Sequence, residues 1–290
     1  MIRAILLTLI LQPFHPQVAQ NEAEEIRRLE AQHKGQFSRV RTLVADSKVR
    51  YDTDGRIIGK WRPGQWTWHS GVKVTKVELL KGDILEIRAD RILLNYSRAI
   101  HKFQPLLTTE TFEVEIQVSR EADGKLNLEK EWNKAFLGPV EPYPQGIQDY
   151  WKPFIECVRN PETEECKFFE RKSREPDVLD LNPPTTAGEP KHPDVYKVGG
   201  DVIAPKVRSR VEPEYTVAAR NARIEGMTML NAIVAKDGSI RILRIVRPIG
   251  FGLEEAAAEA LSKWRFQPAT LLGQPVDVSL FIEVNFHLRR

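Results

Sequence analysis

Apolar and polar positions alternate most strictly at the end of the chain. There Val276, Val278, Leu280, Ile282, Val284, Phe286 and Leu288 are separated by Asp277, Ser279, Phe281, Glu283, Asn285 and His287. A period of two puts one set on a core and the other toward water, so this segment predicts a half-buried β-strand. Near the middle of the first half, Val72, Val74, Val77 and Leu79 lead through Lys81-Gly82-Asp83 into Leu85, Ile87 and Ala89, the pattern of a β-hairpin. Phe112, Val114, Ile116 and Val118 alternate with Glu113, Glu115, Gln117 and Ser119. Asp123-Gly124 is expected to turn that strand back into one carrying Leu126 and Leu128. The first half therefore reads as mostly β.

Helical spacing occurs in shorter runs. Residues 21–34, NEAEEIRRLEAQHK, predict a charged helix that covers a neighbour rather than forming a core, and GIQDYWKPFIEC predicts a short helix with Pro153 near its start. In the last third, Tyr215, Ala218, Ala219 and Ala222 share a helical stripe that Gly226 is expected to stop. Asp237-Gly238 predicts a hairpin joining 227–235 to 239–247. Leu253, Ala256, Ala257, Ala260, Leu261 and Trp264 then form the inner stripe of a second helix, with Glu254 and Glu255 near its positive end. These elements predict a three-stranded antiparallel sheet with two helices on one face, and an α+β fold for the chain. Trp264 and Phe266 cannot share a helical face. With Pro268 holding the backbone extended, they are expected to clamp the corner where helix gives way to strand, before Gly273-Gln274-Pro275 turns the chain into its last strand.

Composition narrows the class. With 290 residues, 41% of them hydrophobic, the chain can bury one large or two ordinary cores. The net charge is +3, and even the basic end, Lys197 to Arg290, mixes 14 basic with 10 acidic residues, which excludes the concentrated basic stripe of a nucleic-acid binder. Met1-Ile2-Arg3 followed by AILLTLIL, Pro13, Pro16 and a small residue at Ala19 predicts a secretory signal peptide, cleaved after Ala19. If it were retained, it would anchor the chain in the inner membrane, but eight apolar residues fall short of the roughly 20 that span a bilayer. Cys157 and Cys166 flank an Asn160-Pro161 turn, and in an oxidising compartment they are expected to form a disulfide. The six histidines are scattered, so no zinc-type ligand set forms. Residues 171–193 hold five prolines and almost no apolar period, which predicts an extended linker between separately folding units. The layout is then a signal at 1–19, a β-rich domain at 20–170, a linker at 171–196 and a C-terminal domain at 197–290.

No enzyme signature emerges. Gly250-Phe251-Gly252 lacks the third glycine and Lys-Ser/Thr of a phosphate loop and predicts a plain strand-to-helix turn. His69-Ser70 and Glu164-Glu165 read as solvated loop residues, and nothing calls for a metal or cofactor. Trp61, Trp66 and Trp68 are expected to fill a core at a strand entry; the competing reading is a pocket for an apolar ligand.

The last 90 or so residues carry EPEYTVAARNARIEG, DGSIRILRIV, ALSKWRFQPA and GQPVDVSLFIEVNFHL in this order and at this spacing, and the set resembles the C-terminal domain of the TonB family of periplasmic energy transducers. This chain has Thr216 where the family often has proline after the tyrosine, and Glu212 where it often has glutamine. The resemblance implies a periplasmic module that binds a segment near the N-terminus of an outer-membrane transport receptor. That segment would be added as a strand along Val276, Asp277, Val278, Ser279, Leu280, Phe281, Ile282, Glu283, Val284, Asn285 and Phe286. Glu212 would contact the partner, and Tyr215, Trp264, Phe266 and Pro268 would form the structural clamp. Inner-membrane proton-motor proteins enter as partners if an anchor is present, and a homodimer is a further expected assembly. The alternative, from another class, is a periplasmic sensor or carrier whose β-rich region does the work, with the C-terminal domain as a dock.

Overall fold

The computed structural model describes residues 16–288 apart from 82, 98–99, 101, 139–140, 142, 161, 164–165 and 167–193. Most of the expected signal peptide, Glu164-Glu165 and nearly all of the expected linker lie outside the described residues. Helix α1 (Pro16–His33) starts before Ala19 and runs on through the expected helix at 21–34. No helix among the described residues is long and apolar enough to cross a membrane.

The first sheet contains β1 (Phe37–Arg39), β2 (Lys48–Tyr51), β3 (Gly71–Leu80), β4 (Ile84–Ser97) and β5 (Lys102–Gln117) in the order β1-β3-β4-β5-β2. Its first hairpin matches the alternation around residue 80. The change of parity between Val74 and Val77 is a β-bulge between Val74 and Lys76, which returns Val77 to the buried face. The second hairpin differs from expectation. β5 pairs antiparallel with β4 over most of both strands, and only an isolated Arg120–Leu126 bridge follows the Asp123-Gly124 turn. Leu128 opens helix α3 (Leu128–Ala135) instead, because Asn127 caps it by accepting a hydrogen bond from Lys130 N–H. Leu29 of α1 and Leu128, Trp132 and Ala135 of α3 cover the buried face of this sheet, with His33 stacked on Trp132 at 3.8 Å.

The C-terminal sheet is broader than three strands. β9 (Gly226–Val234), β10 (Ile240–Arg247) and β13 (Gln274–Phe286) form its antiparallel centre, in the order β10-β9-β13. Outside β13 lie β12 (Ala269–Leu271), β7 (Val202–Ile203) and, pairing directly with β13, β6 (Val195–Lys197). β8 (Lys206–Ser209) and β11 (Arg265–Gln267) make a separate ribbon. Helix α5 (Val217–Asn221) is capped by Thr216, whose Oγ1 accepts from Ala219 N–H, and it ends before left-handed Arg223 rather than at Gly226, which opens β9. Helix α6 (Leu253–Ser262) buries Leu253, Ala257 and Leu261 against β9 and β10.

The two regions expected to fold separately share a core. Helix α2 (Trp66–His69), the 3-10 turn Asp149–Trp151 and helix α4 (Lys152–Arg159) sit between them. A second bulge, between Asp90 and Ile92, bends the long β4–β5 hairpin, and past it Leu93 and Phe103 join the same cluster as Leu230, Ile245, Leu253 and Trp264. Trp151 is fully buried there, 4.8 Å from Trp66 and 5.9 Å from Phe154. Of the three clustered tryptophans, Trp66 and Trp68 are half-buried and packed against the cores, and Trp61 is exposed. Cys157 and Cys166 are bonded, tying the end of α4 to the residues beyond it.

Truncating Trp151 to alanine should remove packing from both regions at once and cost about 3–5 kcal/mol. Urea unfolding followed by circular dichroism and by tryptophan fluorescence should give one transition with both probes, moved to lower urea in the variant. Two separate transitions, only one of them shifted, would show that the shared core does not couple the regions.

Candidate functional site

The last strand is built as an edge. β9 pairs with it on one side from Val278–Val234 to Phe286–Gly226. On its other side β12 covers Gln274–Val276 in antiparallel register, and β6 lies parallel to Asp277–Ser279. Among the described residues no strand flanks Leu280–Phe286 on that side. Of the residues expected to accept a partner strand, Val276, Asp277, Val278 and Ser279 are therefore already flanked by this chain. Leu280, Phe281, Ile282, Glu283, Val284, Asn285 and Phe286 remain open. Leu280, Ile282, Val284 and Phe286 face the main core, whereas Phe281 packs on the other face with Met227, Met229 and Val246. An unpaired strand edge presents N–H and C=O groups at a regular repeat, which almost any extended segment can use. The opposite edge is less available: β10 packs against the 3-10 turn and α4, and Asn95 bridges Gly250 just beyond its end.

The clamp residues occupy two places rather than one. Trp264 donates its indole N–H to the Val211 carbonyl at 2.8 Å and lies 6.1 Å from Phe266, with the Arg210 guanidinium over its ring. Phe266 N–H donates to the Gly238 carbonyl at 2.9 Å, so the segment leaving α6 grips the tip of the β9–β10 hairpin. Gly238 is required there, since its φ is +82° and a Cβ would come within 2.1 Å of the Phe266 carbonyl oxygen. Pro268 separates β11 from β12. Tyr215 sits elsewhere: its hydroxyl donates to the Ile224 carbonyl, and its ring meets Phe286 edge-on at 5.6 Å, fixing the far end of β13. The final turn is Leu272-Gly273, both with positive φ, so Gln274 and Pro275 already belong to the strand. Glu212 is exposed and paired with Arg210 at 2.9 Å, and no hydrogen bond or ion pair among the described residues joins it to β13.

On the β10 side of the sheet lies a buried pair of carboxyl groups at the start of α6. Glu254 accepts from the backbone N–H groups of Ile249 and Gly250, the latter at 2.7 Å. Glu255 accepts from the Trp151 indole N–H at 3.0 Å and from Thr67 N–H at 3.3 Å. Thr67 Oγ1 donates to Glu255 at 3.2 Å and accepts from Gly252 N–H at 2.9 Å, closing a chain of hydrogen bonds between the regions. Gly250-Phe251-Gly252 is the strand-to-helix turn expected, and it also docks the β4–β5 hairpin: Tyr96 N–H donates to Ile249 and Phe251 N–H to Leu94. A Cβ on Gly250 would lie 2.3 Å from the Leu94 carbonyl oxygen. Burial, and then the neighbouring Glu255 charge, push the Glu254 carboxyl up to about 8. Burial also raises Glu255. Sequence placed these glutamates at the helix dipole; their partners Thr67 and Trp151, nearly 200 and about 100 positions away, carry no local signal.

The other polar residues singled out in the sequence lie apart from this edge. His69 and Ser70 are buried rather than solvated, and desolvation lowers the His69 imidazole to about 4 while its Nδ1 accepts from Gln65 N–H. His69 borders an open cavity of about 700 Å³ whose walls include Trp68 but also Arg62, Arg91 and Glu110, a polar lining unlike that of an apolar-ligand pocket. The Arg91 guanidinium there is spent on the Val44, Asp46 and His69 carbonyls. Glu86, Glu113 and Glu115 place oxygens within 4.8 Å of one another, but Lys48, Arg50 and Arg88 pair with them.

Residues 211–288 match the family model for the Gram-negative bacterial TonB protein C-terminal. Protein TonB of Vibrio cholerae serotype O1 is 31% identical over 83 residues, which make up 28% of this chain and 34% of that protein. The chain thus spans about a third of the length of this curated relative. A solution NMR structure of the Pseudomonas aeruginosa TonB CTD aligns with 32% of this chain and 94% of its own, at 23% identity and a TM-score of 0.23.

A carboxyl raised from an ordinary 4.5 to about 8 favours the neutral form in the fold. Its stabilising contribution is complete below about pH 4.5 and is lost as pH rises through about 8. Glu254→Gln, which cannot ionise, should flatten the fall in the urea midpoint between pH 5 and pH 9. An unchanged slope would show that Glu254 does not titrate there.

Proposed function

Since residues 211–288 are a TonB C-terminal domain, we propose that the chain is a periplasmic recognition module of outer-membrane transport that takes up an extended receptor segment as an added strand on β13. The observation that supports this reading is the run Leu280–Phe286, unflanked by any strand among the described residues, on a strand of 13 residues whose other side pairs with β9 from Val278 to Phe286. Backbone groups supply affinity. Choice comes from the side chains on either face of the edge: Ile282, Val284 and Phe286 with Tyr215 toward the core, and Phe281, Glu283 and Asn285 on the outer face. Glu283 would favour a partner with a basic residue at the facing position.

In this reading the β-rich region holds the module rather than carrying a ligand. It meets the sheet through Thr67, Trp151 and the β4–β5 hairpin, all on the side away from β13.

A fluorescein-labelled peptide from the N-terminal segment of a co-encoded outer-membrane receptor, titrated into the full chain, tests the edge. Proline at Phe281 or Glu283 and proline at Ile282 or Val284 probe the two alternating sets of N–H groups. One set points to β9 and its prolines should unfold the sheet, while the other should keep the far-UV circular dichroism and weaken binding at least tenfold. If every folded variant binds like the parent, β13 is not the site.

A further inference from the structure

The start of the open edge is taken by the chain itself. β6 is 3 residues long, lies parallel to β13 with Val195 opposite Asp277, Tyr196 opposite Val278 and Lys197 opposite Ser279, and pairs with no other strand among the described residues. Tyr196 is exposed. Directly after it the backbone is anchored: Val198 and Val202 pack into the main core, and Gly199 and Val202 exchange both backbone hydrogen bonds, at 3.2 and 3.1 Å. Gly199 and Gly200, with φ of +128° and +57°, make the tight reversal between them. The boundary between a short strand and a pinned turn therefore falls at Lys197–Val198.

We propose that Val195–Lys197 is an internal occupant of the strand-accepting edge, which an incoming extended segment must displace to pair from Asp277 onward. The proposal rests on the reading of β13 as that edge. A strand held a few bonds from its site competes at an effective concentration on the order of millimolar, although it makes few contacts itself. A partner that pairs only with Leu280–Phe286 leaves β6 in place. A longer one gains the pairing at 277–279 and must release β6, so the occupant discriminates by length. Its own sequence, a β-branched residue, an aromatic and a lysine, indicates which side chains the groove beside Asp277–Ser279 accepts.

The test uses the full chain, its Tyr196→Pro variant, and a labelled peptide of residues 193–199, Pro-Asp-Val-Tyr-Lys-Val-Gly. In the parent, amide hydrogen exchange at Val195–Lys197 should be at least tenfold faster than in β9, reporting local release. Tyr196→Pro removes a donor from β6 alone, and the peptide should bind this variant at least tenfold more tightly than the parent. Val195→Gly/Lys197→Gly serves in its place if the proline variant loses its circular dichroism. Exchange at β6 as slow as in β9 would overturn the proposal and leave the edge reading standing, and so would equal peptide binding to parent and variant. Binding to neither, with the Asp277–Ser279 amides accelerated in the variant, would overturn both.

Discussion

The start of helix α6 is the joint on which the arrangement depends. Burying two adjacent carboxylates is costly unless each finds donors, and here the donors come from different places. Backbone N–H groups of the preceding turn serve Glu254, whereas Thr67 and the Trp151 indole serve Glu255. Separating the two regions would leave Glu255 short of its partners, so the polar joint and the apolar cluster around Trp151 act in the same direction. The β-rich region thereby becomes a mount packed against the C-terminal sheet.

That mount decides which edge of the sheet is free. β10 lies against the 3-10 turn and α4, and the turn beyond it accepts the backbone of β4 because Gly250 carries no Cβ. Among the described residues the open edge is therefore β13, and even there the chain's own β12 and β6 flank its first half. A strand edge without such cover pairs readily with other chains.

Several features were legible in the residues. The alternation from Val276 to Phe286, the Asp237-Gly238 hairpin, the apolar stripe of α6 and the bonding of Cys157 to Cys166 all follow from local pattern, and the order of the C-terminal segments was enough to identify their family. Other readings failed where distant contacts overrode a local one. Leu128 begins a helix because Asn127 caps it, not a return strand. His69 is buried because α2 is wedged between the regions. Tyr215 belongs with Phe286 at the end of β13, not with Trp264 and Phe266 at the corner.

The sequence by itself determined the elements whose signal is periodic or confined to a turn, since side-chain spacing and positive φ act over a few residues. Only the tertiary structure decided that the two regions share a core, that Glu254 and Glu255 are buried against Thr67 and Trp151, and that Val195–Lys197 lies on β13. Those outcomes are set by which surfaces meet after the chain has turned many times. Hydrogen bonds between residues a hundred or more positions apart leave no periodicity in either partner.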